Sequence, residues 1–137
     1  MQILRFIPLF GVLFIAYNAI MLFSDVFTVN AGLLTIPMMA RETPLVLTAS
    51  EVFSMLGVVL LYFEILKSTR TSQATIVEHG LSTVVLLACV VEFIVVPGAG
   101  TAAFMMLTLL ALLDLVAGFT ITIVASRRDF AVGDGGN

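Results

Sequence analysis

Positive charge is scarce in this chain. Six Lys and Arg stand against nine Asp and Glu in 137 residues, and they build no clustered basic face of the kind nucleic-acid binding needs. Cysteine is scarcer still. Cys89 stands alone, so no intrachain disulfide can form and the redox compartment leaves no trace. Within Leu86-Leu87-Ala88-Cys89-Val90-Val91 it reads as a small buried hydrophobe. The single histidine, His79, is too far from Cys89 to give a metal-ligand spacing. A Gly-rich phosphate loop, a Gly-x-Ser-x-Gly nucleophile elbow and a His pair for haem are missing as well. No cofactor or metal is therefore expected, and an enzyme acting on lipid is the least supported class.

Apolar residues fill the space these absences leave. A hydrophobic fraction of 61% with only 11% charged residues, and a mean hydropathy of +1.19, lie well outside soluble composition. A chain of one-domain length keeps a large share of its surface exposed and could not hide that much apolar area from water. Lipid is the natural solvent for the excess.

Crossing about 30 Å of hydrocarbon takes about 20 mostly apolar residues in a helix rising 1.5 Å each. Four stretches meet this description: Phe6 to Ser24, Pro44 to Leu66, Ile76 to Val96, and Thr101 to Ser126. The first follows Arg5 like a secretory signal, but its apolar run is long and no small-x-small cleavage site follows closely, so it reads as a span. Pro44 suits a helix start, where no amide donor is needed. Pro97-Gly98-Ala99-Gly100 is short enough to force the last two helices to run antiparallel as neighbours. Arg127-Arg128-Asp129 closes the fourth span.

Basic residues then set the orientation. With the N-terminus inside, Arg5, Lys67, Arg70, Arg127 and Arg128 face the cytoplasm and only Arg41 lies outside. The expected fold is all-α: an integral-membrane four-helix bundle in the plasma (inner) membrane, both termini cytoplasmic, with a short extracellular segment between helices 1 and 2. Residues 1–129 form the four-span domain, and 130–137 a Gly-rich, acidic, disordered cytoplasmic tail. The extracellular segment, Val26 to Ala40, has two readings. Val26-Phe27-Thr28-Val29 and Leu33-Leu34-Thr35-Ile36 could pair as a hairpin around Asn30-Ala31-Gly32. The preferred alternative is a short interfacial helix or irregular cap on the outer leaflet.

Ionisable residues inside spans are costly and point to function by default. Asn18, Glu51, Glu92 and Asp114 supply one polar group per helix. Counted from the outer ends, Asn18, Glu51 and Glu92 lie about 8–10 Å deep and Asp114 about 20 Å deep. On a helical projection Asp114 shares its face with Ala103, Ala111, Ala117, Gly118 and Ala125, the small residues that permit close helix approach in lipid. The four polar faces are thus expected to converge on one axis. No base is expected beside these carboxylates, so each must be protonated, hydrated or holding a cation. Ser54 and Tyr62 are expected to support the site, Asn18 to pack between helices, and Glu78 with His79 to form a candidate proton relay at the cytoplasmic end. Glu64, three residues before Lys67, reads as half of a structural ion pair.

Two functions follow. The first is a proton- or cation-linked transporter or channel subunit working through Glu51, Glu92 and Asp114. Four short helices enclose little volume, so a homo-oligomer, most simply a dimer, is expected. The second is a non-catalytic accessory or scaffold protein that binds another membrane protein or lipid through small-residue faces.

Overall fold

The computed structural model of the protein describes residues 8–29, 31–40, 42–69 and 74–133. The orienting residues Arg5, Arg41 and Arg70, and the tail residues 134–137, lie outside that range. Six regular elements follow in order: α1 (Leu9–Phe23), β1 (Gly32–Ile36), β2 (Leu45–Thr48), α2 (Ala49–Ser68), α3 (Ala74–Val95) and α4 (Ala102–Gly133). A single 3-10 turn, Pro97–Ala99, joins α3 to α4.

The protein is an all-α assembly of apolar helices carrying one small hairpin. Among the described residues, three helices are long and apolar enough to cross a membrane: α2 over Ala49–Ser68, α3 over Val77–Val95 and α4 over Ala102–Arg127. The described part of α1 has 15 residues, about 22 Å of helix, which is shorter than a hydrocarbon core. Outward surfaces of all four helices are apolar, with Ile15, Phe23, Val58, Phe63, Val84, Ile94, Leu113 and Val116 among the exposed side chains. A largely apolar exterior of this kind suits lipid better than water.

α4 is the central helix, packed most extensively against α2 and α3. Its alignment with α3 is antiparallel, as the short link requires. Phe93 stacks on Phe104 near the link, with centroids 6.3 Å apart, while His79 meets Thr122 at the far end. With α2 it runs parallel. Gly57 lets the two helices close up, since a Cβ there would come within 2.6 Å of Leu110 Cδ1. The densest core lies toward the hairpin. Tyr17 stacks on Phe27 at 4.6 Å and meets Phe53 and Phe104 edge-on. Cys89 is fully buried in the same cluster, as its apolar surroundings suggested.

The segment between α1 and α2 departs from both readings in detail. A hairpin exists, but β1 pairs antiparallel with β2, Thr35 opposite Val46 and Ile36 opposite Leu45. The run Val26-Phe27-Thr28-Val29 instead makes one helical turn, its Thr28 and Val29 amides donating to the Asp25 carbonyl. Burial of Phe27 against Tyr17 fixes that turn. The start of α2 moves accordingly, from Pro44 to Ala49. Thr48 caps the helix, and Glu51 closes a reciprocal capping box, each side chain meeting the other residue's backbone N–H. At the other extreme, α4 continues past Arg127-Arg128-Asp129 to Gly133. Those charges end an apolar span, but arginine and alanine sustain a helix well.

Candidate functional site

Helix packing sorts the polar residues into two centres at different heights. The first lies toward the Lys67 end of the bundle. Glu64 of α2 and Asp114 of α4 are each 4% exposed, and Ser82 of α3 is 7% exposed. Glu64 Oε1 accepts from Lys67 Nζ at 3.2 Å. Its Oε2 accepts from the backbone amide of Leu9 at 3.4 Å. Leu9 is the first residue of α1, so the carboxylate sits on the positive end of that helix, a favourable place for an anion. The Ser82 hydroxyl faces the Asp114 carboxylate, and the charges of Glu64 and Lys67 are close enough to act on it. Among these described side chains two acids meet one base. With both acids ionised, the group carries one uncompensated negative charge inside an apolar bundle.

The second centre lies toward the hairpin. Asn18 Nδ2 of α1 donates to Glu92 Oε2 of α3 at 3.2 Å and to the Phe14 carbonyl at 3.1 Å. The other carboxylate oxygen, Glu92 Oε1, is inaccessible to solvent and has no hydrogen-bond partner among the described residues. Just above, the Tyr17 hydroxyl bonds with Thr101 Oγ1 and donates to the Gly98 carbonyl. An oxygen of a carboxylate cannot remain charged, buried and undonated without a large cost. Ten residues of α3 separate Ser82 from Glu92, so the two centres stand about 15 Å apart along the bundle.

This arrangement revises the single converging site. Asp114 and Glu92 both turn inward, but to different helices. Asp114 lies in the field of a base, Lys67, which pairs with Glu64, contrary to the expectation of carboxylates far from any Lys or Arg. Glu51 joins neither centre. It is exposed at the first turn of α2, where its carboxylate accepts from the Thr48 amide at 2.6 Å and the Thr48 hydroxyl at 2.9 Å. It stands at the first turn and not within the helix because α2 begins five residues later than Pro44. Ser54 donates to the Ser50 carbonyl at 2.7 Å within its own helix. Tyr62 is 60% exposed on the outer surface, with its ring edge-on to Phe63, and supports neither centre.

At the candidate relay, His79 lies flat against α4. Its Nε2 bonds with Thr122 Oγ1 at 3.0 Å, and its ring sits 5.1 Å from that of Phe119. Gly118 makes room for it, since a Cβ there would approach His79 Cε1 to 2.4 Å. Glu78 is partly exposed beside it. Sequence reasoning gave Glu64 only its local role. The Lys67 pair is as expected, but the burial of Glu64 arises from α1 and α4 packing over it, which no local spacing encodes. A carboxylate one turn inside a span, on the Lys67 side of the apolar run, was the available signal.

No protein-family model, no curated protein and no solved structure matches this chain.

Proposed function

We propose that this protein is a small multi-pass membrane protein that binds and releases protons or small cations at intramembrane carboxylates, as a proton- or cation-linked transporter or channel subunit. In this reading four helices span the plasma (inner) membrane with both termini cytoplasmic, and two copies associate to complete a path. The observation that carries it is the pair Glu64 and Asp114, both 4% exposed on different helices, sharing one lysine. A purely structural bridge between helices needs one acid and one donor. Among the described side chains the second acid leaves a charge that a proton or cation can balance. Glu92, with its undonated oxygen, supplies a second station about 15 Å away, and Asn18 orients it. His79 at the Lys67 end holds α3 to α4 through Thr122.

An accessory role is the second reading, and one observation favours it. The hairpin presents Leu33, Leu34, Ile36, Met38, Met39 and Val46 to the outside of the bundle, a surface suited to another membrane protein or lipid. The small residues of α4 do not serve that role. Ala103, Ala111 and Gly118 are buried within the bundle itself.

Reconstitution into liposomes separates the readings. Flux of protons or alkali cations that is lost in Asp114→Asn and reduced in Glu92→Gln supports transport. A folded wild-type protein that moves no ion in either direction refutes it.

A further inference from the structure

A groove of about 350 Å³ opens between the first halves of α2 and α4, on the hairpin side of the Glu64–Asp114 centre. Met55 and Val58 of α2 and Ala102 and Met106 of α4 form its walls, with Ser50, Ser54 and Glu51 at the upper end. The serine hydroxyls are spent internally, Ser50 on the Phe27 carbonyl and Ser54 on the Ser50 carbonyl. The surface left to a ligand is therefore methyl, methylene and thioether. Seven residues separate Glu51 from Val58, so the groove descends about 10 Å along the helix axis from its rim.

At that rim stands a negative charge. Glu51 is exposed, and only one of its oxygens is used by the Thr48 cap. No ion pair involving Glu51 occurs among the described residues. An apolar slot that begins beneath a carboxylate with no ion pair among the described residues is complementary to an amphiphile with a cationic head and a hydrocarbon tail.

We propose that the α2–α4 groove is a lipid site selective for phospholipids with an ammonium headgroup, the ammonium meeting Glu51 and an acyl chain lying along Met55, Val58, Ala102 and Met106. This rests on the membrane-embedded reading and not on transport. The methionines suit such a guest, because flexible thioethers adapt to a chain of variable shape. The headgroup contact sits at an exposed interface, so it contributes selectivity more than affinity.

Native mass spectrometry of the full chain from detergent, with phosphatidylethanolamine and phosphatidylglycerol of identical acyl chains, tests the assignment. The ethanolamine lipid is expected to bind roughly fivefold better, as one headgroup charge contact at the membrane surface allows. Glu51→Gln preserves the capping box, since glutamine fills that position equally well. It is expected to equalise the two lipids while leaving binding of either. Ala102→Trp and Val58→Phe fill the groove from opposite walls at exposed positions, and each is expected to abolish retention of both lipids with helicity and melting unchanged. Equal retention of the two lipids by the wild type, preference for the glycerol lipid, or adducts that persist in both groove-filling variants would overturn the proposal. So would groove-filling variants that lose a dimer instead of a lipid, which would make a second copy the occupant. None of these outcomes bears on ion flux through Asp114.

Discussion

Replacing Lys67 by methionine removes the only basic group described at the buried acid pair while keeping a long apolar stem. Glu64 then retains the Leu9 amide as its sole described donor, with the Asp114 carboxylate still acting on it. Breaking a fully buried ion pair by deleting one partner costs about 3–5 kcal/mol. The Lys67 side chain is 24% exposed and that of Glu64 is 5% exposed, so headgroups and water recover part of this. A loss of about 2 kcal/mol is expected for Lys67→Met. Glu64→Gln in the same background restores most of it, because the amide keeps a hydrogen bond to α1 and carries no charge. Unfolding of the four proteins of this cycle in detergent, followed by helical circular dichroism, isolates the Glu64–Lys67 coupling from any other contact of Lys67. A coupling of about 1–2 kcal/mol is expected. Strict additivity, within about 0.5 kcal/mol, would refute the reasoning. It would mean that the lysine serves the bundle without balancing the buried carboxylate.

Further consequences are open to the same measurements. Gly118→Leu drives the His79 ring off α4 and breaks its bond to Thr122. A loss of about 1–3 kcal/mol is expected from overpacking, most of it recovered when His79→Ala is added. Phe27→Ala empties the stack on Tyr17 and is expected to cost about 3–5 kcal/mol, read as a lowered melting temperature. Full wild-type stability in this variant would show that the turn at Asp25 holds without its aromatic plug. Thr48→Ala removes the α2 cap at a cost of about 1 kcal/mol. Glu51→Gln is expected to be near neutral, and equal losses in the two would refute the box.

What could be read from the chain beforehand follows the range of the interactions involved. Apolar length gave α2, α3 and α4 almost directly, because lipid solvation is a property of each segment. The inward face of Asp114 was legible too, since its alanine and glycine neighbours at helical spacing mark a packed side. Thr48-Ala49-Ser50-Glu51 is a capping box written in the sequence, and it lies inside an apolar stretch that starts at Pro44. Span length obscured it, which shifted the expected helix start and placed Glu51 inside the helix instead of at its first turn. The hairpin partner was missed for a different reason. Val26 to Val29 and Leu45 to Thr48 have comparable strand character, and the choice between them was made by the burial of Phe27 in a core built from three other elements. Separation of Glu92 from Asp114 is likewise tertiary. Each acid has a definite face, but which helix that face meets depends on α4 lying between α2 and α3.

Infrared difference spectroscopy of the protein in bilayers, recorded across a reversible pH step, tests most directly whether a buried acid here exchanges its proton. The account predicts a carboxyl carbonyl band that appears and disappears with the step, is lost or displaced in Asp114→Asn, and persists in Glu51→Gln. Wild-type and Asp114→Asn spectra that superimpose would contradict it.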